Sequence, residues 1–129
     1  MHNDVKVLIY VESRYKADRK RIKRVIQDVL SEVGVKSAVE ISVAIVGDRK
    51  MRSLNNKYRG KDATTNVLSF PLKEGTAANL PSDINRLGDI VLSYPQVIRD
   101  ASRDEMLVDE KIEELIRHGM QHLLGMHHG

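Results

Sequence analysis

The chain has 129 residues, 41% hydrophobic and 30% charged, the proportions of one globular domain that buries roughly two thirds of its unfolded surface. It has no cysteine, which excludes a disulfide framework and thiolate metal ligands, and no apolar run long enough for a membrane span or signal-peptide core, so a cytoplasmic protein without membrane attachment is expected. The net charge is only +3, yet seven cations (Arg14, Lys16, Arg19, Lys20, Arg21, Lys23 and Arg24) crowd around a single acid, Asp18, in a patch suited to polyanions or simply to solvent.

In chain order, the β-branched run from Val5 to Glu12 predicts a first strand. Asp18 is placed to cap a helix whose apolar residues Ile22, Val25, Ile26, Val29, Leu30 and Val33 recur every three or four positions, until Gly34 ends it. Ala38 to Val46 alternates as a second strand. Strand, helix and strand in this order favour a parallel pair joined by a right-handed crossover. Asp48 is expected to cap a short helix carrying Met51, Leu54 and Tyr58 and closing at Arg59-Gly60.

Asn66 to Phe70 predicts a third strand, stopped by Pro71. Leu72 to Arg86, punctuated by Gly75, Pro81 and Asn85, predicts a loop, and Leu87 to Ser93 a fourth strand. With no helix between strands three and four, antiparallel pairing is the simpler connection. Pro95 suits the first turn of a helix reaching about Arg103. The last helix is expected to start near Asp109, with Asp109, Glu110, Glu113 and Glu114 toward its positive dipole end and a buried stripe of Ile112, Leu115, Ile116, Gly119 and Leu123.

That helix leads to the chemistry. Four of the five histidines lie in the last twelve residues. His118 and His122 are four apart, so at 3.6 residues per turn both imidazoles leave one helix face within reach of a common ion. Gly125 then permits a left-handed exit, through which a third imidazole from the tail can return. Three nitrogen ligands leave a tetrahedral zinc with one open position, as catalytic zinc sites do. An affinity-tag origin accounts for adjacent histidines at a terminus, but leaves the four-spaced pair and its glycine as coincidence.

Three blocks of sequence carry a resemblance. His118-Gly-Met-Gln-His122-Leu-Leu-Gly125-Met-His-His128 resembles the H-G-x-L-H-L-x-G-Y-D-H signature of the YbeY family of metal-dependent endoribonucleases. The segment from Asn55 to Pro71 resembles the family's N-x-x-Y-R-x-x-D-x-P-T-D-V-L-S-F-P, and Leu87 to Val91 matches its L-G-D-I-V strand. The resemblance implies one α+β domain over residues 1–129, with a mixed four-stranded sheet containing one antiparallel strand, four to five helices and a zincin-like metal helix. It implies one zinc ion held by His118, His122 and His128, with His118 and Arg59 as catalytic residues and Arg59 meeting substrate phosphate. The implied activity is cleavage of single-stranded RNA in ribosomal RNA processing, including the 3′ end of the small-subunit RNA, and in ribosome quality control. Ribosomal RNA and small-subunit components are the implied partners.

The chain departs from the family pattern in several places. Met126 and His127 replace Tyr-Asp, so no carboxylate stands there to orient an imidazole; Gln121 replaces Leu, Thr64 replaces Pro, and Asn66 replaces Asp. Two rival readings share the histidine pair. A zinc protease needs a glutamate base after its first histidine, where this chain has Gly119. A non-catalytic ribosome assembly factor would use metal only to fasten the tail to the last helix.

Overall fold

The computed structural model describes residues 5–72 and 84–126. His2, most of the expected loop and the tail histidines His127 and His128 lie outside the described residues. The elements are β1 (Val5–Val11), α1 (Arg19–Glu32), β2 (Ala38–Val46), α2 (Asp48–Arg59), β3 (Val67–Pro71), β4 (Ile84–Ser93), α3 (Tyr94–Arg103) and α4 (Val108–Leu123). This is the expected α+β architecture, with four helices among the described residues. The sheet order is β1-β2-β4-β3. β1 runs parallel to β2 (Val7 opposite Ile41) and β2 parallel to β4 (Val43 opposite Ile90), whereas β3 is antiparallel to β4 (Ser69 opposite Ile90).

Alternation along the strands divides the side chains between two layers. On one face Val39, Ile41, Val43, Ile45, Ile90 and Leu92 meet the apolar stripes of α1 and α4, forming the main core. Each fully buried side chain of this size contributes about 1.5–3 kcal/mol relative to exposure. On the other face Met51 of α2 covers Val46, Leu68 and Val91. The buried stripe of α4 contains every residue foreseen, together with Met120 and Lys111. Lys111 is 3% exposed, and its ammonium lies 2.7 Å from Asp104 and 3.2 Å from Glu114, so the burial of this charge is compensated by ion pairing. Gly119 explains how closely α4 approaches the sheet: a Cβ there would stand 3.1 Å from Cδ1 of Ile90.

Several boundaries differ from expectation: Glu12 falls outside β1, Asn66 outside β3, and Val33, an exposed residue, beyond the end of α1. β4 begins at Ile84 rather than Leu87, because Ile84, Asn85 and Arg86 pair with Ala38, Val39 and Glu40 of β2; a bulge follows, where the register next joins Ile41 to Gly88. β3 keeps Pro71 within the strand, which an edge strand tolerates where a central one would lose a ladder bond.

Asp48 is not the expected cap. Gly47 occupies that position, and Asp48 is the first helical residue of α2. Its carboxylate instead accepts from Thr64 Oγ1 at 2.8 Å, Ser93 Oγ at 2.7 Å and Gln96 Nε2 at 3.2 Å, tying the starts of α2 and α3 to the strand ends. Burial pushes this carboxyl up, but the hydrogen bonds from Ser93, Thr64 and Gln96 and the field of Arg99 outweigh it, and it titrates below the ordinary 3.8. A depressed folded-state value stabilises the fold above the unfolded value and loses that contribution as pH falls through the folded value. Thermal midpoints of the wild type should therefore decline below about pH 4, while Asp48→Asn should start lower and decline less steeply. Parallel slopes for the two proteins would show that Asp48 does not govern this window.

Candidate functional site

The stripe that buries one side of α4 turns His118 to solvent and leaves His122 half-buried. Past Leu123 the helix closes as a Schellman turn: Met126 N–H donates to Gln121 O at 2.8 Å and Gly125 N–H to His122 O at 3.0 Å. Gly125 takes φ +75°, as the left-handed exit requires. The expected left-handed exit after the histidine pair is therefore present. His128, the third expected ligand, lies outside the described residues, and among the described residues no cluster of three metal-ligating side chains occurs.

Edge strand β3 runs beside α4, and the two frame an open groove of about 440 Å³ lined by Asn66, Val67, Glu114, Leu115, Arg117, His118 and Gln121. Farther along the strand, Ser69 Oγ lies 2.5 Å from Nδ1 of His122. An imidazole that donates from Nδ1 keeps its Nε2 lone pair for a ligand, the orienting device common around metal-bound histidine. The sequence reading missed Ser69. Its one signal was position in a strand with the inward-facing parity of Val67, and the partner lies 53 residues away.

The backbone of the same serine reaches Arg59. The guanidinium, at the end of α2, donates through Nη2 to Ser69 O at 3.2 Å. Ser69 thus joins the two groups singled out from sequence, with its hydroxyl on His122 and its carbonyl on Arg59. Arg59 is exposed, so donors of its planar fork remain for an incoming anion.

Asn66, at the head of the groove, donates through Nδ2 to Asp100 Oδ2 at 2.9 Å. An aspartate there, as in the family pattern, would set two carboxylates against each other. Thr64, likewise a departure, supplies one of the hydrogen bonds to Asp48.

The basic segment lies elsewhere. Arg19 donates to Ile9 O of β1, the sheet edge opposite β3, and Arg21 pairs with Glu113 at 2.5 Å. Arg14 lies 3.4 Å from Glu12 and against the Tyr15 ring. Lys16, Lys20, Lys23 and Arg24 are exposed. Part of this cluster is thus engaged in holding α1 in place, and it does not border the His118 groove.

Fold and site together define an α+β protein in which a histidine-bearing helix lies along the antiparallel edge strand of a mixed sheet, with an arginine fork at that edge. Residues 9–129 match the endoribonuclease YbeY family, and the chain belongs to it. Among similar proteins, the endoribonuclease YbeY of Syntrophus aciditrophicus is 37% identical over 117 residues, covering 91% of this chain and 71% of the relative. That of an Anaeromyxobacter species is 44% identical over 89 residues, covering 69% and 44%, and that of Thermodesulfovibrio yellowstonii is 40% identical over 101 residues, covering 77% and 61%. The chain thus spans less than two thirds of the length of the latter two. The solution structure of TM1509 from Thermotoga maritima shares the fold, with a TM-score of 0.60 over 97% of this chain and 75% of that one, at 21% identity. No helix among the described residues is long and apolar enough to cross a membrane.

Proposed function

We propose that residues 1–129 form a single metal-dependent endoribonuclease domain that cleaves single-stranded RNA, acting in the cytoplasm on ribosomal RNA and small-subunit components during processing and quality control. The observation that carries this reading is the convergence of Arg59 and His122 on Ser69. A nuclease needs a metal-binding face and a fixed cation for phosphate at one place, and two separate elements meet at this serine. Membership of the endoribonuclease YbeY family supports the RNA class of substrate.

The residues fit a zinc ion. The donor set has no thiolate, the two histidines project from one helix face, and Ser69 meets His122 at Nδ1, a contact of the kind that commonly orients a ligating imidazole. His118, His122 and, from the tail, His128 would hold the ion. When bound, zinc supplies an acidified water and a Lewis acid for a phosphoryl oxygen. The chain's own residues do the remaining work. Arg59 orients the phosphate through paired donors and offsets the charge that grows on its oxygens, while Ser69 holds the His122 ring in one tautomer and one plane. Gly119 occupies the position where a zinc protease carries its glutamate base, so nothing at that point favours peptide hydrolysis.

The test is metal analysis of protein purified without a histidine tag, paired with cleavage of single-stranded and duplex RNA before and after chelation. About one zinc per chain, with cleavage confined to single strands and lost on chelation while the fold persists, is expected. Cleavage that survives complete metal removal would overturn the reading, and melting of the domain on chelation would make the metal structural.

A further inference from the structure

Tyr58 ends the apolar face of α2, yet 56% of it is exposed. Its ring stands 5.2 Å from that of Phe70, tilted by 58°, so one aromatic braces the other at the β3 edge. Cations flank the pair. Lys57 Nζ is 5.1 Å from the Tyr58 ring centre, and Arg59 Cζ is 6.0 Å from that of Phe70. Phe70 follows Ser69 and alternates to the opposite side of the strand, so the aromatic pair and the histidine helix flank one edge strand, with the Arg59 guanidinium at its backbone.

A large exposed ring braced from below, with positive charge on both sides, suits an extended polyanion whose flat groups lie free. Single-stranded nucleic acid has that chemistry, because its bases offer π faces at intervals along a charged backbone. Duplex RNA does not, since its bases are already stacked on one another. We propose that Tyr58, braced by Phe70, stacks the base adjoining the phosphate that Arg59 engages, while Lys57 leaves the ring face to meet the next phosphate. This rests on the proposed nuclease reading and deepens it: strand state is selected at the aromatic pair, independently of the metal. Stacking tolerates any base, so the subsite favours unpaired RNA without fixing a sequence.

The chain has no tryptophan, so Tyr58→Trp places a single indole reporter at the subsite. Titration of that variant with a short oligoadenylate should quench its emission, whereas an abasic oligomer of equal charge should bind without comparable quenching. Tyr58→Leu in the otherwise unaltered chain should weaken oligoadenylate binding about 5- to 150-fold, the equivalent of ~1–3 kcal/mol per stacked base. Its salt dependence should not change, because no phosphate contact is removed. Tyr58→Phe should bind as the wild type does. Equal oligoadenylate affinity in wild type and Tyr58→Leu, or equal quenching by the abasic oligomer, would overturn the stacking subsite while leaving the nuclease reading intact. Failure of the wild-type chain to bind either oligomer would sink the nuclease reading itself, and the subsite with it.

Discussion

Replacing His118 by Ala is expected to lower single-stranded RNA cleavage by more than about 100-fold. Loss of a group that merely orients a metal ligand commonly costs about 10- to 100-fold, so loss of a ligand should cost more. Ser69→Ala supplies the comparison within this chain, since it removes the hydroxyl from His122 while keeping both imidazoles. It should fall in the lower range and lose part of its metal affinity. His118 is exposed, so its removal should leave the metal-stripped fold within about 0.5 kcal/mol of wild type. Stripped samples are the proper comparison because a bound ion adds stability by linkage. Initial rates, metal content and thermal midpoints of the three proteins test this, and wild-type turnover by His118→Ala would end the claim that this histidine serves the reaction.

Arg59→Ala should reduce kcat about 10²- to 10³-fold, the usual cost of deleting one preorganised donor to developing negative charge, with metal content unchanged. The dissociation expected between rate and metal follows from the geometry. Arg59 donates to the backbone carbonyl of Ser69, whereas His122 meets the hydroxyl, so removing the guanidinium leaves the hydroxyl contact to His122 in place. Arg59→Lys keeps the charge but not the planar fork, and should recover only part of the rate. Single-turnover rates beside zinc analysis decide the matter. Parallel loss of metal and activity would reassign Arg59 to building the site rather than to binding phosphate.

Much of this architecture is legible in sequence because it rests on local periodicity. The apolar residues of α1 and α4 repeat at helical spacing and are buried, and the four strands are found in the predicted order with the predicted antiparallel pair. What escapes is set by distant partners. Residues 84–86 have no strand-like pattern of their own and are extended because β2 offers them hydrogen bonds. Asp48 resembles a helix cap, but three donors from other elements take its carboxylate. Lys111 is indistinguishable in sequence from the exposed lysines until Asp104 and Glu114 are seen around it. At the site, the four-residue spacing identifies the histidine pair. The serine that joins His122 to Arg59 is one unremarked strand residue among many, and only tertiary packing selects it.

The strand order also bears on synthesis. β4 is last among the described strands in sequence but sits between β2 and β3, so the sheet has no continuous middle until residue 93 has left the ribosome. Pairing β2 with β4 closes a long stretch of chain, the slow sort of contact in folding. The platform on which α4 docks is thus completed only shortly before α4 is made, so the histidine pair takes its place on a sheet whose middle strand has only just emerged.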